Sequence, residues 1–138
     1  MYGAEVWQIP NREINKILST EMDVLWRSAR KSRMERIKNE HIKEIMGVKG
    51  ELDIIEMKRL LWYGHVKRMP EERIPKLIME WIPRERRFRG HPRKTWMERV
   101  QAAMTTRNLE PDQWRKREEW RLVSGRRRQL LKNQIEDR

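Results

Sequence analysis

Between Arg84 and Lys94 the chain sets five arginines and one lysine against a single acid, Glu85, for a local charge of +5. Guanidinium forks grip phosphate oxygens two at a time. Gly90 and Pro92 keep this stretch out of a helix interior, so it reads as a loop whose cations can follow a phosphate backbone. Arg84, Arg86, Arg87, Arg89, Arg93 and Lys94 are the candidate phosphate contacts, with His91 beside them. Phe88 could stack on an unpaired base. The competing reading is a solvated loop bonded to nearby glutamates, with Phe88 packed into the core.

No other residues offer catalytic chemistry. Glu71-Glu72 and Glu118-Glu119 are sequence neighbours, and adjacent helical side chains point apart. No Tyr-x-Asp-Asp palm motif, phosphate-binding glycine loop or Ser/His/Asp nucleophile pattern occurs. His41, His65 and His91 match no metal-ligand spacing. His65 lies in an apolar helical run and reads as a hydrogen-bonded core residue. With no cysteine in the chain, disulfides and thiol catalysis are excluded. The expectation is a chain with no catalytic residue, no metal and no cofactor.

A net charge of +12 calls for a polyanionic partner: RNA, DNA or an RNA–DNA hybrid. No apolar run approaches the roughly 18 residues of a membrane span, and no membrane partner is expected. The first residues, Met1 to Gln8, lack the basic and apolar segments of a secretory signal. Charged residues make up 39% of the chain, which limits the apolar surface available for burial. Seven tryptophans offset this, because each buries a large area. All seven fall among helical apolar positions, and most read as core.

The elements that must position these groups are helices. Ile14, Ile17, Leu18, Met22, Leu25, Trp26 and Ala29 recur at three- and four-residue steps, one face of a helix to about residue 30. The basic stretch 28–38 either continues it or breaks near Lys31-Ser32. Asn39 is placed as an N-cap, Ile42, Ile45 and Met46 share a side, and Gly47 suits a left-handed stop. A longer helix follows from about Leu52 to Met69, with Leu52, Ile55, Trp62, Val66 and Met69 as its stripe, widened by Ile54, Met57 and Leu61. Gly64 inside it implies close packing or a kink. Residues 71–81 are a short helix or an extended arm. A helix with Trp96, Val100, Ala103 and Met104 on one face ends near Asn108, and another starts at Glu110-Pro111-Asp112. The turn between the helices around Gly47 has a helix-turn-helix outline, with core packing favoured over groove reading.

The expected fold is mainly α, a single irregular bundle of about five to six helices with a basic loop and frayed ends. Segment by segment this gives an N-terminal stretch 1–10, a helical core 11–83, the basic loop 84–94, C-terminal helices 95–124 and a charged tail 125–138.

Several segments together resemble the region that follows the palm in reverse transcriptases of non-LTR (LINE-like) retrotransposons. They are Tyr2-Gly-Ala-Glu-Val-Trp7, Glu21-Met-Asp-Val-Leu-Trp26, Ser32-Arg-Met-Glu-Arg-Ile-Lys-Asn39, Ile45-Met-Gly-Val48, Leu61-Trp-Tyr-Gly-His-Val-Lys-Arg-Met69 and Arg89-Gly-His-Pro-Arg-Lys-Thr-Trp96. The run from Trp62 to Met69 is the most specific of them. His91 stands where the family more often has Arg. The resemblance implies a thumb-side segment, without the catalytic palm, that grips template-primer or element RNA. It also implies an intracellular, nuclear setting and a polymerase domain as a further partner. Three readings stay open: a nucleic-acid-binding tail of such a polymerase, a decayed relic, and a domesticated helical DNA-binding or protein-interaction domain.

Overall fold

The computed structural model of the chain describes residues 2–81 and 95–125. Among these residues there are six α-helices and no strand: α1 (Asn11–Ser28), α2 (Asn39–Met46), α3 (Glu51–Lys67), α4 (Ile74–Glu80), α5 (Trp96–Arg107) and α6 (Arg117–Ser124). Short 3-10 turns occupy Ala4–Val6, Arg33–Glu35 and Gln113–Arg115. The mainly helical expectation holds. The chain divides into two compact units, Met1–Glu56 and Met57–Arg138, and the division falls within α3.

In the first unit α1 serves two clusters. Its C-terminal half brings Met22, Leu25 and Trp26 onto Ile42 of α2, flanked by Ala29, Ile37 and Met46. Its N-terminal half lays Ile14 and Ile17 against Ala4, Ile9, Leu52 and Ile55. The basic stretch after α1 breaks rather than continuing. Arg30 takes a left-handed φ of 53°, and Ser32 and Glu35 then close a capping box. The Ser32 backbone N–H donates to Glu35 and holds its carboxyl below the usual carboxylate range.

Asn39 departs from its expected role. It is the first helical residue of α2, behind Lys38 at the cap, and its Oδ1 accepts the Trp26 indole N–H at 3.1 Å. A buried indole donor needs a partner, and that need takes precedence over the cap. Ile42 is fully buried while Ile45 is half-exposed, so the expected shared side narrows to Ile42 and Met46. Gly47 ends α2 with φ 62°, as expected. Glu21 of α1 accepts the Glu51 backbone N–H at 2.9 Å and Lys43 Nζ at 3.1 Å. A carboxylate thus satisfies an orphan donor at the positive end of α3 from a distant part of the sequence.

The second unit is built on Leu60, Tyr63, Val100, Ala103, Met104 and Trp120, with Leu61, Met79, Trp96, Met97, Leu109 and Trp114 packed around them. The phase of α3 differs from the expected stripe: Leu60 and Tyr63 are buried, whereas Trp62 is 36% exposed. Gly64 fulfils the expectation of close packing. A Cβ there would lie 2.3 Å from Trp120 Nε1, and the bare backbone lets that indole donate to the Leu60 carbonyl at 2.8 Å. Thr95 and Glu98 form a second capping box at the start of α5, and Asn108 ends that helix with φ 55°.

The last helix begins later than Pro111. A 3-10 turn comes first, and α6 starts at Arg117. Gln113 favours this arrangement. Its Oε1 accepts the Glu110 backbone N–H, and its Nε2 donates to Glu119 at 2.8 Å, folding the turn back on α6. Buried Arg107 donates through Nε to the Ser124 carbonyl at 3.0 Å, so a cation meets the negative end of α6.

The tryptophans divide more evenly than their helical positions imply. Trp26 and Trp120 are buried, and Trp96 and Trp114 are partly buried against the core. Trp7, Trp62 and Trp81 are exposed, so four of the seven take the core reading and the placing of Trp62 on the buried stripe is corrected.

Candidate nucleic-acid interface

Arg84, Arg86, Arg87, Phe88, Arg89, His91, Arg93 and Lys94 all lie outside the described residues. The described residues carry a different cationic concavity, in the second unit. It is a pocket of about 240 Å³ lined by Leu61, His65, Arg68, Arg117, Glu118, Trp120 and Arg121.

Two helices supply it. On α3 and just beyond it, Leu61, His65 and Arg68 recur at steps of four and three, which puts them on one face. On α6, Arg117 and Arg121 sit one turn apart. The floor is Trp120, fixed by the Gly64 approach and its bond to Leu60. Arg68 is held from below, where its Nη1 donates to the Trp114 carbonyl at 2.6 Å. Burial pushes the Arg68 guanidinium below its ordinary value, and the positive charge of Arg117 adds to this. Arginine keeps its charge under such perturbation, so the pocket holds like charges without neutralising them. Among the described residues no carboxylate forms an ion pair with Arg68, Arg117 or Arg121. Glu118 is the one acid in the lining.

His65 is exposed, which corrects its reading as a core residue. Its ring tilts at 45° against Trp62, with centroids 5.7 Å apart. The most specific motif of the sequence therefore has two faces. Tyr63 and Gly64 meet Trp120 of α6 and Val66 is buried, while Trp62 and His65 are exposed. Arg115 adds a further cation over the Trp114 ring at 5.6 Å. An array of guanidinium groups and an exposed indole suits anions that carry flat rings.

The first unit bears a concavity of another kind. A groove of about 770 Å³ runs along α1, lined by Trp7, Ile9, Pro10, Ile17, Val24 and Leu25, with Glu13, Glu21 and Glu51 among its polar residues. Its one cation, Lys16, is paired with Glu13 at 3.0 Å, so it lacks the guanidinium cluster of the pocket.

Sequence reasoning passed over Arg68, Arg117 and Arg121. The local signals were the three-residue step from His65 to Arg68 and the four-residue step from Arg117 to Arg121. What joins them is the Gly64–Trp120 approach, and only the fold provides that. Among the described residues no group of three or more His, Asp or Glu converges on a metal position. No described helix is long and apolar enough to cross a membrane.

No family model matches the chain, and no solved structure matches it. The chain is 26% identical over 119 residues to an uncharacterized transposon-derived protein of Caenorhabditis elegans. That match covers 79% of this chain and 41% of the worm protein, so the chain spans about two fifths of its relative's length. The likeness points to a transposon origin for the sequence.

Proposed function

We propose that this chain is a nucleic-acid-binding, non-catalytic segment derived from a non-LTR retrotransposon polymerase, corresponding to the region beyond the palm. The observation that carries the reading is the pocket of His65, Arg68, Arg117 and Arg121, whose three guanidinium groups have no carboxylate partner among the described residues. Unpaired arginines in a fixed pocket are poised for phosphate oxygens. The overall charge of +12 and the cationic sequence from Arg84 to Lys94 support the same partner. The transposon-derived relative supports the origin. Element RNA, its DNA copy and the hybrid between them are the partners in this reading, and a polymerase domain is a further one.

The test is a fluorescence-anisotropy titration of the full chain against single-stranded RNA, duplex DNA and an RNA–DNA hybrid at several salt concentrations. Saturable binding that weakens steeply with salt is expected. Replacing Arg86, Arg87 and Arg89 together with Ala should weaken binding by a similar factor on every sequence and flatten the salt slope. Weak binding, equal on all three ligands and abolished near physiological salt, would sink the reading.

A further inference from the structure

Trp62 stands apart from the residues on either side of it. Its neighbours in the chain, Leu61 and Tyr63, pack with the core, yet its own ring is 36% exposed and leans on His65. His65 in turn lines the pocket that holds Arg68, Arg117 and Arg121. A flat apolar surface and a cluster of guanidinium groups therefore stand side by side, joined through one imidazole. A paired duplex offers phosphates but hides its base faces, whereas a single strand offers both.

We propose that this pocket is a single-strand site, in which a backbone phosphate enters among Arg68, Arg117 and Arg121 while an adjacent base stacks on Trp62. This rests on the nucleic-acid-binding reading above and adds to it the form of the ligand and the residues that recognise it. The pocket volume of about 240 Å³ accommodates a phosphate group with its closest waters, at roughly 30 Å³ per water. Arg68 is pre-positioned by its bond to the Trp114 carbonyl. Arg117 and Arg121 are exposed and form no ion pair among the described residues, so engaging an anion breaks no existing pair. The anion would also relieve the repulsion between Arg68 and Arg117.

The experiment uses the full chain, a labelled oligothymidylate of about 12 nucleotides and a labelled duplex of equal length. Trp62→Ala is expected to weaken single-strand binding about tenfold, within the range of base–aromatic stacking, and to leave duplex binding unchanged. Trp62→Phe, which keeps a ring, should restore most of the loss. Arg117→Ala with Arg121→Ala should weaken single-strand binding and reduce its salt slope by about one to two. Far-UV circular dichroism and thermal melting are read alongside to establish whether these variants stay folded. If the parent chain binds the oligothymidylate and the arginine pair has no effect, the single-strand site is overturned while the broader reading stands. Equal losses on strand and duplex in Trp62→Ala would also overturn it. If the parent chain binds neither ligand, both readings fail together.

Discussion

Each unit buries one tryptophan whose indole N–H must be satisfied, and the two units solve this differently. In the first, Trp26 donates to the side chain of Asn39 at 3.1 Å. In the second, Trp120 donates to the backbone carbonyl of Leu60 at 2.8 Å, through a gap that only Gly64 leaves open. A side-chain acceptor can be exchanged for another of similar reach. A backbone acceptor cannot be exchanged, and reaching it makes the helix surface itself part of the bond. The difference extends to what lies nearby. Trp120 lines the cationic pocket with Arg68, Arg117 and Arg121, so the Gly64–Trp120 approach brings α3 and α6 together there. Trp26 packs instead with Met22, Leu25 and Ile42.

The comparison can be broken at its strongest point first. Trp120→Ala removes the largest fully buried side chain and is expected to cost about 3–5 kcal/mol in urea unfolding. Gly64→Ala comes next, since its methyl would sit 2.3 Å from the indole nitrogen. We expect a loss of about 1–3 kcal/mol together with weaker nucleic-acid binding, because α6 must shift. A neutral result would show that the close approach is not required. Asn39→Ala should cost about 1 kcal/mol by orphaning the Trp26 N–H. Asn39→Asp, which keeps an acceptor in the first turn of α2, should be close to neutral. If both Asn39 variants behaved alike, the contrast between side-chain and backbone acceptors would be lost.

The smallest effect concerns Lys67 and Glu80, which join α3 to α4 at 2.7 Å. The hydrogen bond from Lys67 lowers the Glu80 carboxyl, and the same bond raises the Lys67 ammonium. A lowered acid stabilises above its unfolded value and loses that contribution as pH falls through its folded value. A raised base stabilises below its unfolded value and loses that contribution as pH rises through its folded one. The pair therefore contributes between about pH 5 and pH 10. Because Glu80 is half-exposed, Glu80→Gln should cost only about 0.5 kcal/mol in that window and nothing in acid, read from melting curves across pH.

Much of the fold could be read from the sequence, for reasons that are local. The stops at Gly47 and Asn108 require a left-handed residue, and the pattern of α1 has a clear period. Gly64 announced a close approach because little else justifies glycine inside a helix. The phase of α3 was not legible. Leu52, Ile54, Ile55, Met57, Leu60, Leu61, Trp62, Tyr63 and Val66 surround its axis, and periodicity cannot choose a buried side when most sides are apolar. From that ambiguity came the exchange of Trp62 for Tyr63 and the misplacement of His65. The capping boxes at Ser32–Glu35 and Thr95–Glu98 were spelled out in four residues each and passed unnoticed. The pocket was hidden for a different reason. Arg68 and Arg117 are far apart in sequence, and among so many cations no single arginine stands out.

The Leu60 carbonyl accepts the indole of Trp120 in addition to the helical amide of Gly64, since an α-helix bonds each N–H to the carbonyl four residues back. Both of its lone pairs are in use, and the indole shields the Gly64 amide from water. The indole proton is then a clock for α6: its hydrogen bond runs between α6 and α3, so its exchange with deuterium in the intact chain reports how often the pocket comes apart.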